Sequence, residues 1–552
     1  MKGSRKACVN SKSEKGFLSG VIVLSLSTFI VKIIGLAYKI PMMSLLGAEG
    51  MGYFNSAYDV YALLCVISTS GLPVAISMLI SACEERGRYG RMARIYRTAI
   101  SVFSFLGITG SAFMILFAGR IASFVENPDI YLCMIAIAPA LLFVCISSAV
   151  RGYFQGLSKM APTAISQLIE ALGKLFLGLV FAKFAIDRGY GLAVVAAFAV
   201  LGLSIGTAMS AVYLLWLKAR HNKSNLYRKE VMTKEEKNDR VLSTLFKISV
   251  PITLSSAVLG VTRIIDMTLI MRRLQDIGFT SSEANTVYGS YTTLAIPVFG
   301  LIPSLIAPIA LALVPKLSAA IERASVEDQT AVSMTSMRIT VLFAMPSSIG
   351  VAAYSEQILR LLFPNQAEAV SIAHPLLAFL GISILFSSLI TTTNSILQSY
   401  RQTTKPIISM AIGALVKVIS AYILIGNRSI GIYGAPISTL LCDITVTVIN
   451  LFYINKLLPD SNKVSKVYFR PFIASIVMIL LSLMVYFGVF RHLNGEMVAL
   501  IIAIMAAVVS YALFAVMFGA VTQQDLRMLP FGENIIKVFK RIGFWRSEKN
   551  KS

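Results

Sequence analysis

The sequence predicts an all-α polytopic membrane protein: fourteen transmembrane helices, in two six-helix lobes related by a parallel repeat, plus two extra C-terminal helices. Three observations lead there. First, 56% of the 552 residues are hydrophobic and only 14% charged, with a mean hydropathy of +0.75; a soluble chain is about one quarter charged. Second, the apolar residues gather in runs of the length that crosses a bilayer as a helix, about 20 residues. Third, residues recur at a fixed offset in the two halves of the chain. Backbone groups in lipid must be satisfied inside each such segment, which makes the segments helices. The composition excludes a soluble enzyme. It also argues against a nucleic-acid binder, because the net charge of +23 is not gathered on a folded polar surface.

In chain order, the first six runs are 17–40, 55–82, 96–118, 130–150, 161–184 and 190–217, forming an N-terminal lobe over 1–217. The first is not read as a cleaved signal peptide: it is too long, carries Lys32 and Lys39, and has no small-residue cleavage site behind it. Residues 218–243 alternate basic and acidic side chains, the pattern of a solvated cytoplasmic linker. Six further runs, 244–271, 285–315, 335–354, 372–396, 406–425 and 431–455, form a C-terminal lobe over 244–455. The eighth run holds Pro297, Pro303 and Pro308 with Pro315 at its end; proline removes a backbone donor and kinks a helix. Such a run either lines a substrate path or bends for packing alone. Runs at 471–490 and 496–518 lie in a segment, 456–518, outside the repeat. The basic tail, 519–552, puts Ile535, Ile536, Phe539 and Ile542 on one helical stripe opposite Lys537, Lys540 and Arg541. It reads either as a helix on an anionic leaflet or as a frayed end.

Loop charge sets the orientation. With the N-terminus inside, and with Arg97, Lys183, Lys247, Arg338 and Glu496 at the run ends counted with their adjoining loops, 37 Lys and Arg fall on the inner side, 8 on the outer side and 5 in the spans, against 14, 9 and 4 acidic residues. The net charge is then +23 inside, −1 outside and +1 in the membrane, which places both termini in the cytoplasm of a multi-pass cell-membrane protein.

The repeat pairs Gln155, Lys174, Tyr190 and Gly191 with Gln398, Lys417, Tyr433 and Gly434 at an offset of 243. Residues 80–86 are echoed by 317–323 at an offset of 237. Six spans separate the partners, so the two lobes share one orientation and are related by an axis along the membrane normal. That is a transporter design, with the substrate path between lobes and alternating access by rocking.

Ionisable residues inside spans are costly and mark partners or aqueous cavities. The cations are Lys32 and Lys39 in span 1, Lys174 in span 5, Arg263 in span 7 and Lys417 in span 11. The carboxylates are Asp59 in span 2, Glu170 in span 5, Asp266 in span 7 and Asp443 in span 12. Five cations spread over both lobes suit an anionic headgroup such as a diphosphate, with the four carboxylates as counter-ions or coupling groups. A blander reading stands beside it. Glu170–Lys174 at i,i+4 and Arg263–Asp266 at i,i+3 have the spacing to neutralise each other, and Lys39 and Asp59 lie near span ends, where side chains snorkel.

No catalytic residue, metal site or cofactor is expected. No G-x-x-x-x-G-K-[ST] or H-E-x-x-H is present. The histidines His221, His374 and His492 are scattered, and the six cysteines include no C-x-x-C and read as small core residues. The identity of any coupling ion stays open.

Several segments resemble the stage V sporulation protein B family, in the polysaccharide-biosynthesis branch of the multidrug/oligosaccharidyl-lipid/polysaccharide exporter superfamily. They are Gly71-Leu-Pro-Val-Ala-Ile-Ser77, Arg151-Gly-Tyr-Phe-Gln-Gly156 followed by Pro162, Ser166-Gln167 and Glu170, Tyr38-Lys-Ile-Pro41 leading to Leu46-Gly-Ala-Glu-Gly50, and Tyr433-Gly-Ala-Pro-Ile-Ser-Thr439. The resemblance runs over nearly the whole chain. It implies a flippase for an undecaprenyl-diphosphate-linked saccharide, the peptidoglycan precursor lipid II or another lipid-linked polysaccharide unit, serving spore cortex synthesis. It also implies a central cationic cavity partly built on span 1, where Lys32 falls, whereas Tyr38 stands where some relatives carry arginine. The expected partners are that substrate, membrane lipids and the cell-wall synthesis machinery, with no nucleic acid. The alternatives are a drug or cation antiporter of the same superfamily, which would want unpaired acidic residues, and a membrane glycosyltransferase, for which the short outer loops leave no room.

Overall fold

The computed structural model describes residues 2–224, 241–323, 325–458, 464–493 and 495–521, and among them there is no strand. Most of the linker 218–243 and the basic stripe of the tail lie outside the described residues. Eleven described helices are long and apolar enough to cross a membrane. Fourteen spans are compatible with this. The stretch Ser27–Glu84 holds the second run and the first from residue 27 onward, and the fifth and seventh lie in the α5 and α7 helices given below. The cysteines Cys65, Cys83, Cys133, Cys145 and Cys442 are free.

The chain packs as two compact units, the first of Met1–Thr293 with Ile425–Gly431, the second of Leu294–Leu424 with Ile432–Ser552. These units are divisions of packing, whereas the lobes expected at 1–217 and 244–455 rest on the recurring residues of the sequence alone.

The first unit contains α1 (Lys2–Thr69), α2 (Leu72–Glu85), α3 (Tyr89–Phe124), α4 (Tyr131–Gly156), α5 (Ala161–Asp187), α6 (Leu192–Ser224), α7 (Val241–Asp276) and α8 (Ser281–Ser290). Helix α1 carries spans 1 and 2 on two arms that break at Gly47 (φ 66°, ψ −176°). No atom crowds that position, so the glycine serves the left-handed backbone rather than close packing. Span 2 breaks again between Thr69 and Leu72. Thr69 and Ser70 return their hydroxyls to the Cys65 and Val66 carbonyls, and Pro73 opens α2 at a position that needs no amide donor. A side chain at Gly71 would overlap the Ser249 carbonyl and sit 2.6 Å from Thr253 Oγ1 of α7. The hydropathy of 55–82 reads as one run because none of this alters its apolar content.

Small residues bring the helices together where lipid provides no hydrophobic drive. A Cβ on Gly173 would lie 2.6 Å from Gly206 Cα, and Gly178 faces Gly202 as closely, which seats α5 on α6. Gly152 and Gly156, one turn apart on α4, receive the backbone of α2 at Pro73 and Ser77. The Arg-Gly-Tyr-Phe-Gln-Gly segment is thus a packing face. Outward-facing Phe105 and Leu116 on α3, and Phe176 and Val180 on α5, are exposed as lipid contacts require.

Helix α8 opens with a capping box, Thr280 and Glu283 each satisfying the other's backbone. It leads into a π-helical turn, Tyr291–Ala295, and then α9 (Ile296–Glu322). The prolines lead one to expect a break within α9, but it runs as one helix through all four, and the irregular turn precedes them. Pro297 cannot donate to the residue-293 carbonyl and its ring crowds that carbonyl; the wider π turn relieves both.

The second unit contains α9, α10 (Val326–Ala353), α11 (Ser355–Leu362), α12 (Ala367–Ser399), α13 (Thr404–Ile425), α14 (Gly434–Leu457), α15 (Val464–Leu493) and α16 (Glu496–Met517). Val341 and Met345 of α10, Leu389 and Ile396 of α12 and Ile454 of α14 share one core. The two C-terminal helices join this unit through hydroxyls. Ser482 of α15 bonds Tyr354 and the Ala503 carbonyl, both at 2.8 Å, and Tyr511 of α16 donates to the Leu342 carbonyl at 2.9 Å.

Candidate functional site

Seven of the nine charged residues singled out in the spans belong to the first unit and form one electrostatic cluster. Lys32 and Lys39 stand two turns apart on the first arm of α1, and Asp59 stands on the second. Helix α5 contributes Glu170 and Lys174, and α7 contributes Arg263 and Asp266. Lys32 and Arg263 are both exposed, and each lies in the other's repulsive field. Asp59 lies in the attractive fields of Arg263 and Lys39 and the repulsive field of Asp266. Lys39 in turn repels Lys174.

The individual contacts separate the pairs the spacing allowed from those that form. Glu170 does not pair with Lys174. Arg151 takes it in an ion pair of 2.9 Å, with the same guanidinium donating to Ser166 Oγ (2.9 Å) and Ser210 Oγ (3.1 Å). Lys174 Nζ instead stands over three aromatic rings, 5.0 Å from the centroid of Tyr38, 5.3 Å from Phe54 and 4.9 Å from Tyr58. Nor does Arg263 pair with Asp266; it makes no ion pair among the described residues. Lys39 does not snorkel: its ammonium donates to the Thr292 carbonyl, in the π turn, at 2.7 Å. Asp59 accepts from the Tyr288 hydroxyl of α8.

The π turn is held against α1 by more than Lys39. Asn55 donates to Thr292 Oγ1 at 2.9 Å and to Thr293 Oγ1 at 2.7 Å. Below it, Gly52 and Gly289 let the two backbones meet; a Cβ on Gly289 would overlap the Ala48 carbonyl.

Lys417 and Asp443 lie in the second unit, on α13 and α14. Asp443 accepts from Ser383 Oγ at 2.6 Å and lies in the attractive field of Lys417. Lys174 and Lys417 therefore match in sequence position and differ in surroundings, one caged by rings and the other beside a carboxylate.

Sequence reasoning missed five participants: Arg151, Phe54, Tyr58, Tyr288 and the Thr292 carbonyl. Arg151 fell one residue past the expected end of span 4, yet α4 continues to Gly156 and turns it inward. Tyr58 and Phe54, at i,i+4, carried a legible helical stripe, but only the fold brings Tyr38 from the other arm of α1 beside them. Tyr288 and the Thr292 carbonyl had no sequence signal. Among the described residues no group of three or more His, Cys, Asp or Glu is placed to hold a metal. Five cations, Lys32, Lys39, Arg151, Lys174 and Arg263, face three carboxylates in the cluster, an excess that suits an anion in a low-dielectric setting.

A family model described as polysaccharide biosynthesis protein matches residues 17–321, more than half of the chain and all of this cluster. The chain belongs to that family. A second model, MatE, matches residues 290–423. Stage V sporulation protein B of Bacillus subtilis (strain 168) is 24% identical over 531 residues, covering 95% of this chain and 100% of that one. The lipid II flippase MurJ of the same organism is 25% identical, covering 73% of this chain and 76% of its own. Among solved structures, lipid II flippase MurJ in an inward closed conformation aligns with a TM-score of 0.69 at 16% identity, over 90% of this chain and 98% of that one. An inward-facing multidrug resistance MATE family transporter of the MOP superfamily aligns at 0.65 and 15%, over 81% and 99%. The family and the fold are those of membrane flippases and transporters, not of catalysts.

Proposed function

We propose that the protein flips an undecaprenyl-diphosphate-linked saccharide, with lipid II as its substrate, from the inner to the outer leaflet by alternating access. The observation that carries this reading is the gathering of Lys32, Lys39, Lys174 and Arg263 from three helices into one cluster with excess positive charge. A diphosphate is the part of such a lipid that a cationic cluster recognises, and Arg263, which makes no ion pair among the described residues, keeps its guanidinium for bidentate contact. Lys417 is the candidate cation of the second unit, and Asp59, Glu170, Asp266 and Asp443 act as counter-ions or coupling groups. The names of the relatives, a lipid II flippase and a stage V sporulation protein, support the substrate class and a role in spore cortex synthesis beside the cell-wall machinery. The positive-inside charge distribution supports a cell-membrane protein with both termini cytoplasmic. No nucleotide motif is present in the sequence, so the membrane potential or an ion gradient drives the cycle, with no bound cofactor.

The test is depletion of the protein in its native host, in a background lacking other flippases, with lipid II measured on each leaflet. Outward lipid II is expected to fall and inner-leaflet lipid II to accumulate; unchanged outward lipid II and unchanged wall or cortex synthesis would sink the proposal. Depletion that sensitises cells to cationic drugs while leaving lipid II untouched would favour the antiporter reading, which the MatE match over 290–423 keeps in view.

A further inference from the structure

We propose that Arg151 is a positioning residue that keeps Lys174 available to the substrate's diphosphate by holding Glu170 away from it, while the rings of Tyr38, Phe54 and Tyr58 hold the freed ammonium in place. The inference rests on the anion-binding reading above and deepens it.

Glu170 and Lys174 are one helical turn apart on α5, a spacing at which a carboxylate and an ammonium ordinarily meet. They form no ion pair here, although the Glu170 charge still reaches Lys174, because Arg151 is anchored to Glu170 and at the same time to Ser166 and Ser210. A guanidinium presents its donors in a rigid fork, so three fixed partners hold it more firmly than a flexible ammonium would be held. Its side chain is only 14% exposed, so competition from water is small.

Lys174 is left with no ion pair and no hydrogen bond among the described residues. Its ammonium lies about 5 Å from three ring centroids, within the range in which the ring quadrupole attracts a cation. The distinction between the two modes of holding is electrostatic. A carboxylate in direct contact neutralises the lysine it holds, whereas an aromatic ring carries no net charge and leaves the ammonium's charge available to a third body. The rings also come from both arms of α1, so they fix the ammonium relative to Lys39, whose charge it repels. Two like charges held near one another have a common requirement, which an incoming diphosphate meets.

The experiment uses the full chain in lipid nanodiscs and undecaprenyl diphosphate as the probe, with undecaprenol as the uncharged comparison. Arg151→Met is expected to weaken binding of the diphosphate about tenfold, as Lys174→Met does, because the released Glu170 captures Lys174. The double variant Arg151→Met/Glu170→Gln removes the captor as well and is expected to return affinity to within about threefold of the parent. A purely structural role for Arg151 predicts the opposite, a double variant as weak as the single one, and that result overturns the proposal. Phe54→Leu/Tyr58→Leu is expected to lose about tenfold with Arg151 intact, and retained affinity would overturn the part assigned to the rings. A cryo-EM structure of Arg151→Met decides the geometry independently of any ligand. Glu170 within 4 Å of Lys174 Nζ supports the proposal, and a Glu170 that stays apart overturns it. If the parent protein binds diphosphate no better than undecaprenol, the substrate reading fails, while the Arg151→Met structure still reports on the capture.

Discussion

At the scale of single residues, the cluster is built from atoms whose partners are unequal. The Tyr38 hydroxyl is buried and has no hydrogen-bond partner among the described residues, and it abuts the site where a Cβ on Gly178 would stand, at 3.0 Å. An unsatisfied buried hydroxyl costs about 1–3 kcal/mol. Tyr38→Phe keeps the ring beneath Lys174 and removes that cost, so its melting temperature should equal or exceed the parent's; Tyr38→Leu, which loses the ring, should fall below both. A thermal-shift assay on detergent-solubilised protein separates them, and a Tyr38→Phe variant clearly less stable than the parent contradicts the argument. Gly289→Ala makes the converse point, since its new methyl would overlap the Ala48 carbonyl. Backbone yields less than a side chain, so a loss of about 3 kcal/mol or more is expected, at the upper end of overpacking costs, visible as poor recovery of folded protein.

Among the elements, the irregular ones carry the positioning. The π turn Tyr291–Ala295 is followed by Pro297 and receives Lys39 and Asn55. Such turns recur at functional sites because they offer backbone groups that a regular helix uses internally. Pro297→Ala restores a donor for the residue-293 carbonyl, and the turn is expected to relax toward α geometry, withdrawing the Thr292 carbonyl from Lys39. Complementation of a depleted strain at equal expression reads this out; full complementation would mean that the π turn is dispensable. Hydropathy could not reveal this turn or the Gly71 break, because the first depends on the missing donor of Pro297 and the second on the neighbouring backbone at Ser249, neither on the apolar content of its segment. The Arg-Gly-Tyr-Phe-Gln-Gly segment was legible as a motif, and its meaning became physical only once Gly152 and Gly156 met α2.

For the whole molecule, charge asymmetry makes the broadest prediction. Single cysteines introduced at Asp129 and at Lys159, in an otherwise cysteine-free background, report the orientation. Asp129 is expected to react with a membrane-impermeant thiol reagent added outside intact cells, and Lys159 only after the cells are opened. The reverse pattern would invert the topology and with it the direction of flipping. The apolar runs, the uneven charge of the loops between them and the nine charges within the runs could all be read from the sequence, because each depends on what a segment must do in lipid, one segment at a time. Which charges pair could not be read in this way. Spacing favoured Glu170 with Lys174 and Arg263 with Asp266, and the fold instead placed Arg151 on Glu170 and rings around Lys174. A helix constrains only neighbours three or four residues away, whereas a partner on another helix depends on crossing geometry set by glycines such as Gly173, Gly178, Gly202 and Gly206. The sequence by itself therefore determined that the chain is a charged, many-spanned membrane protein. Only the tertiary structure decided which of its charges remain uncompensated, because compensation is a matter of distance between helices.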